Sequence, residues 1–352
     1  MYGTRKIRSS EQKQSKTKCI DPGNSKFLIK MILEMKEVVA GVDIGGTNTV
    51  FGLVERDGII VAENKLCTTS YPEIEDFVSV LTNSIQRLVS GAENIKLAGI
   101  GIGAPDANYH KGTIELATNL AWKGIIPFSS LIRERINLPV AITNDANAAA
   151  LGEMIFGGAK KIKDFIILTL GTGLGSGIVV NGELVYGHTG FAGELGHTII
   201  VPGGRDCGCG RQGCLETYAS ASGLVRTVLY MLSEMKEESP LREIVPSELS
   251  SKQIAEAAEN GDIIALEALD YTAEMLAFGI INAIVFSSPE AIFLFGGLAK
   301  AGDLLFNPVR KYVDLNIMPI FKGTVKILPS GIPENNAALL GAAALAWQEL
   351  SK

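Results

Sequence analysis

Residues 38–61 read V-V-A-G-V-D-I-G-G-T-N-T-V-F-G-L-V-E-R-D-G-I-I-V, and residues 165–185 read F-I-I-L-T-L-G-T-G-L-G-S-G-I-V-V-N-G-E-L-V. Each stretch places two apolar strands around a glycine-rich turn: Gly45-Gly46-Thr47, followed by Asn48, in the first and Gly171-Thr172-Gly173 in the second. Each then reaches a second turn signal, Arg56-Asp57-Gly58 and Asn181-Gly182, the latter a strong two-residue hairpin sequence. One such strand–turn–strand is common. Two at matching positions in successive halves point to a duplicated domain with a cleft between the copies. Glycines let backbone N–H groups converge on phosphate oxygens, and a threonine hydroxyl adds a donor. Neither turn matches the lysine-containing P-loop or the dinucleotide fingerprint.

Phosphate loops lying in hairpins are the arrangement of the actin-like ATPase (ribonuclease H-like) fold. The expected class is therefore α/β, with two domains facing a cleft. Asp43, just ahead of the first loop, would face the same phosphates. A carboxylate beside phosphates needs a cation between them, which assigns Asp43 to Mg2+ through water; a turn-capping aspartate is the plain alternative. A helix is expected from Ile74 to Ser90, then a strand over Ile95–Gly103 that runs into G-A-P-D at 103–106. Residues 139–153, P-V-A-I-T-N-D-A-N-A-A-A-L-G-E, read as a strand entering a helix, with Asn144 and Asp145 at the junction. Asp145 is either the helix N-cap or a general base. Phosphoryl transfer to an alcohol needs a carboxylate within reach of the hydroxyl at the cleft floor, and a strand end at a crossover is where α/β ligands bind. Asn144 beside it, and Asn119 in A-T-N-L-A-W, can donate to and accept from a sugar hydroxyl, although Asn119 also suits an Asx turn. Gly296-Gly297, at the end of A-I-F-L-F, would let adenine approach the backbone, or would simply make a tight turn. The closing N-N-A-A-L-L-G-A-A-A-L-A-W-Q-E-L reads as an Ala-rich amphipathic helix that packs back on the first domain.

Between Glu194 and Glu216 lie E-L-G-H and C-G-C-G-R-Q-G-C-L-E, which hold three of the chain's five cysteines. His197, Cys207, Cys209 and Cys214 offer one nitrogen and three sulfurs, the donor set of a closed structural zinc site. Four protein ligands leave no open position for Lewis-acid chemistry, so the ion would hold the flanking Glu194 and Glu216 in place.

The 352 residues carry a formal charge of −6, which argues against a nucleic-acid partner for the main body. No apolar run is expected to reach the length of a membrane span, and no secretory segment is read. Cys19 and Cys67 stand alone, consistent with a reducing cytoplasm. Within the first 36 residues, positions 1–18 carry Arg5, Lys6, Arg8, Lys13, Lys16 and Lys18 against Glu11. A basic arm or transit peptide fits; a disordered tail, expected from the polar, aromatic-poor composition, fits better. The expected domains are residues 37–143 with 333–352, and residues 144–332 with the zinc loop at 197–214.

These residues together resemble the ROK family of sugar kinases and sugar-responsive repressors. The resemblance spans Val38 to Leu350 and rests on D-I-G-G-T-N-T, N-L-A-W, T-N-D-A-N-A-A-A-L-G-E, L-G-T-G-L-G-S-G-I, the zinc segment and G-G-L-A. It implies a cytoplasmic, ATP- and Mg2+-dependent hexokinase, most simply a glucokinase, acting as a dimer or tetramer. Asp145 would be the base, and Asn119, Asn144, Glu194, His197 and Glu216 the sugar contacts. His197 would bind zinc with one ring nitrogen and orient a sugar hydroxyl with the other. Kinases of mannose, fructose, N-acetylglucosamine or N-acetylmannosamine remain open, as does a non-catalytic sugar sensor, although no winged helix is read. Asp106 departs from the pattern, since many relatives have glycine there.

Overall fold

The computed structural model describes residues 35–333 and 336–352. The basic segment assigned to residues 1–36 thus lies outside the described residues, except for Met35 and Lys36. Strands β1 (Lys36–Ile44), β2 (Asn48–Glu55) and β3 (Ile60–Cys67) form an antiparallel meander. Helix α1 (Ile74–Gly91) leads to β4 (Ile95–Gly103), parallel to β1. A small sheet follows, of β5 (Ala107–Asn108), β6 (Thr113–Glu115) and β7 (Ile125–Ile126). Helix α2 (Phe128–Arg135) then returns the chain to β8 (Val140–Thr143), parallel to β4. Val38 and Val42 are fully buried against Phe77 of α1, and Val39 is fully buried on the opposite face of β1, as expected for a strand covered on both faces.

The second half repeats the plan. After α3 (Asp145–Ile155), β9 (Phe165–Leu170), β10 (Leu174–Val180) and β11 (Glu183–Leu184) form the second meander. Helices α4 (Glu216–Ala219), α5 (Ala221–Glu234), α6 (Ser251–Glu259) and α7 (Ile263–Ser287) precede β12 (Ala291–Phe295). Then come α8 (Asp303–Asn316), β13 (Lys326–Pro329) and α9 (Ala337–Glu349). The sheet orders, β3-β2-β1-β4-β8 and β11-β10-β9-β12-β13, coincide position for position. Asn181 and Gly182 adopt φ of 55° and 80°, the left-handed pair of a type I′ turn.

Two expectations need correction. Helix α7 is long and apolar enough to cross a membrane by length and composition. It packs instead against α5, α6 and α8, and one set of its apolar residues, Ile264, Leu269, Leu276, Ile280 and Ile284 among them, lines the second core. Helix α9 is not amphipathic, because ten of its thirteen residues are buried. One side lies on β1 and β4, as expected, while another meets α3, so no polar face remains.

The seat of α9 is very close. A Cβ on Gly101 in β4 would stand 1.9 Å from the Ala342 carbonyl oxygen. Gly101→Ala is expected to destabilise the protein by at least about 2 kcal/mol, because backbone on both sides must move. Gly91→Ala, whose Cβ would meet nothing within 4 Å, is the control and should melt at or above the wild-type Tm. Equal Tm values for the two variants would show that α9 does not seat there.

Candidate active site

A cavity of about 630 Å³ opens between the two halves and is lined by Asn119, Asn144, Asp145, Glu194, His197 and Glu216 together. These are the six residues assigned to the sugar from sequence, and they come from both halves of the chain. The volume is of the size that holds small ligands.

The floor is the β8–α3 junction. The Asn144 Oδ1 accepts from the Asn147 N–H at 2.7 Å, so Asn144 is the N-cap of α3. The capping alternative weighed for Asp145 therefore belongs to its neighbour, and Asn144 keeps its Nδ2 for donation. The Asp145 Oδ1 accepts from the Ala146 N–H at 2.8 Å. Asp145 faces the cavity opening, yet protein crowds around it, and this desolvation pushes its carboxyl above the usual aspartate range. Asp43, at the end of β1, is pushed up to about 6 by burial and then by the charge of Asp145. Burial also raises Glu194 and Asp106. Each raised value reflects the difficulty of placing another negative charge here, so the cavity suits a neutral hydroxyl donor better than an anion.

Each glycine turn packs close to a residue that lines this cavity, Gly46 to Asn119 and Gly173 to Glu216. The Gly45 N–H donates to the Asn48 carbonyl at 2.9 Å, closing the first loop. A Cβ on Gly46 would lie 2.6 Å from the Asn119 carbonyl oxygen. In the second loop the Gly171 N–H donates to the Gly173 carbonyl at 3.1 Å, and a Cβ on Gly173 would lie 2.7 Å from the Glu216 Oε2. Thr47 and Thr172 are exposed. Gly296, at φ 104°, turns tightly against Leu170 at the foot of the second loop. The space over Gly171 and Gly297 is open. The Gly296–Gly297 pair is thus a tight turn that also borders free space.

His197, Cys207, Cys209 and Cys214 bring one ligand atom each to within 4.8 Å of one another. The Cys209 and Cys214 Sγ atoms are 3.7 Å apart, and the Cys207 Sγ is 3.5 Å from the His197 Nδ1. A tetrahedral zinc with Zn–S bonds of about 2.3 Å separates its sulfurs by about 3.8 Å. Spacing and donor set both fit zinc. Among the described residues no cysteine forms a disulfide. A hydrogen bond from Arg211 lowers the Cys209 thiol to about 6, while burial raises Cys207 and Cys214. The Glu216 Oε1 lies 3.0 Å from the Cys207 Sγ and 3.6 Å from the His197 Nδ1. The loop is also pinned without a metal. The Arg205 guanidinium donates to the Thr217 and Gly223 carbonyls and to the Thr227 Oγ1, and stacks 4.6 Å over the Tyr218 ring.

Sequence reasoning missed Ser176 and Phe191, which also line the cavity. The Ser176 hydroxyl donates to the Gly193 carbonyl and accepts from the Leu195 N–H, bracing the turn that carries Glu194. Its signal was a hydroxyl in an otherwise apolar strand, L-G-S-G-I. Asp106 lines the same cavity at a φ of 51°, a left-handed conformation that costs a non-glycine residue about 1 kcal/mol.

The ROK family profile matches residues 39–349. A glucokinase of Halalkalibacterium halodurans is 37% identical over 284 residues, covering 79% of this chain and 86% of its own length. A xylose repressor of Bacillus spizizenii is 31% identical over 302 residues, 85% of this chain and 74% of its own. The crystal structure of a ROK family glucokinase from Streptomyces griseus, in complex with glucose and AMPPNP, superposes with a TM-score of 0.74 at 34% identity. That match covers 88% of this chain and 99% of that one.

Proposed function

The chain belongs to the ROK family, and from that premise we propose that it is an ATP-dependent hexokinase converting D-glucose to glucose 6-phosphate. The observation that carries this reading is Asp145, a carboxylate in a cavity lined also by Asn119, Asn144, Glu194, His197 and Glu216, two of which, Asn119 and Glu216, lie against the glycine loops. In the proposed reaction the sugar lies among these five residues with its 6-hydroxyl against Asp145. Asp145 takes the hydroxyl proton, the oxygen attacks the γ-phosphorus in line, and ADP leaves. Gly45, Gly46, Thr47 and Asn48 would hold phosphates from one side, and Gly171, Thr172 and Gly173 from the other. Gly296 and Gly297 would take the adenine.

Asp43 suits a divalent cation, which would offset the burial and the Asp145 charge that together raise its carboxyl. Mg2+ bound there through water would neutralise phosphate charge. The zinc ligands would be His197, Cys207, Cys209 and Cys214, and the ion would fix His197 and Glu216 beside the sugar. We further take residues 37–143 with 333–352, and 144–332, as two domains whose closure excludes competing water.

The test is ADP release with glucose, mannose, fructose, N-acetylglucosamine and N-acetylmannosamine. Glucose is expected to give the highest kcat/KM. A higher value for an amino sugar would overturn the glucose assignment. Glucose binding without ADP release from any sugar would instead identify a sensor of the repressor kind.

A further inference from the structure

We propose that Asp106 is a sugar-contacting, specificity-determining residue, its carboxylate accepting hydrogen bonds from hexose hydroxyls in the cavity it shares with Asp145. This rests on the hexokinase reading above.

The backbone at Asp106 is held in place. Its carbonyl accepts from the Glu115 N–H at 3.0 Å, at the mouth of the hairpin that pairs Ala107 with Ile114. Its left-handed φ would suit glycine without strain, yet a carboxylate stands there instead and lines the cavity. Of the other acids lining this cavity, Glu115, Glu216 and Asp145 have protein partners, and Glu194 alone shares with Asp106 a carboxylate that none engages among the described residues. Glu115 accepts from the Thr113 Oγ1 at 2.8 Å and pairs with Lys111 at 3.1 Å. Glu216 is engaged by Cys207 and the Leu174 N–H. Asp145 accepts from the Ala146 N–H. Among the described residues, no hydrogen bond or ion pair engages the Asp106 carboxylate. It lines the same cavity as Asn119, Asn144 and Asp145, within reach of the Asp145 charge, so a sugar held over Asp145 would lie beside it. A carboxylate accepts and cannot donate, so it favours hydroxyl-bearing sugars and repels anionic ones.

The experiment measures kcat and KM at saturating ATP for wild type, Asp106→Asn and Asp106→Gly, using glucose and its 2-, 3- and 4-deoxy analogues. The glucose KM is expected to rise about 10- to 100-fold in both variants, the range for a hydrogen bond to a charged group. The value of kcat should stay within about twofold, as for lost ground-state binding. The deoxy analogue that lacks the contacted hydroxyl should be a poor substrate for wild type and lose nothing further in the variants. An unchanged glucose KM in both variants overturns the inference, as do losses that multiply for every analogue. Relief of strain predicts that Asp106→Gly melts no lower than wild type. Should it melt lower, Asp106→Asn, which tolerates the same φ, carries the comparison. Wild-type turnover with unaltered variants sinks this inference alone. No turnover of any hexose by wild type sinks the hexokinase reading with it.

Discussion

An Asp145→Ala protein is expected to bind glucose and to turn it over at least about 100-fold more slowly, the lower bound of what a positioned general base contributes. The fold should survive this change, because the cap of α3 is Asn144 and not Asp145. Removing the carboxylate also removes a charge that raises Asp43, so stability is not expected to fall. Asp145→Asn keeps the shape and removes only the basicity, and should be impaired to a similar degree. The pH profile gives an independent check. Burial raises the Asp145 carboxyl above the ordinary 3.8, and a base must be ionised to accept a proton. In the wild type kcat/KM should therefore rise with pH through an acid limb displaced upward from that value, and residual turnover in the alanine variant should lack this limb. Calorimetric binding of glucose alongside the ADP assay separates affinity from chemistry. A kcat comparable to wild type in Asp145→Ala would remove Asp145 as the base.

The second large effect is expected at the zinc loop. Cys209→Ser, or prolonged chelation of the wild type, should lower zinc content, Tm and glucose affinity together. Structural zinc sites bind with about 10 kcal/mol or more of apparent free energy, most of it coupled to local folding. Local anchoring limits the damage here. Arg205 still ties the loop to α4 and α5 through its three acceptors, and the bridge between Ile199 and Cys214 remains. What loses its brace is the exposed side of the loop, where His197 and Cys209 face the cavity. The expected signature is thus a glucose KM raised about 10-fold or more, from hydrogen bonds to His197 and Glu216 that are no longer held, with a smaller change in kcat. Metal loss with an unchanged glucose KM would break the proposed link between ion and sugar.

Much of this protein was legible in its sequence because the decisive signals are local. A φ above zero at Asn181 and Gly182 is demanded by two neighbouring residues. A loop that returns on itself through Gly208, Gly210 and Gly213 presents its thiols at fixed spacing. Strand boundaries such as Ile95–Gly103 follow from apolar runs that end in turn residues. The local code also let two glycine hairpins be recognised as copies, and the matching strand orders bear this out. Local patterns failed where burial comes from both sides. An alanine-rich stretch reads as one-faced, and only the approach of α3 and β4 from different parts of the chain buried α9 all round. Between Asn144 and Asp145, either side chain could cap a helix. Only the folded junction turned one to the Asn147 N–H and left the other facing the cavity. The same holds for electrostatics. Asp43 and Asp145, and likewise Asp106 and Glu194, are far apart in the chain and influence one another only because the parallel β1–β4–β8 array and the zinc loop converge on one cleft. Residue type and spacing decided which chemistry the chain carries. Tertiary packing, which alone sets distance and dielectric between remote groups, decided which carboxylate lies at the floor and which ones surround it.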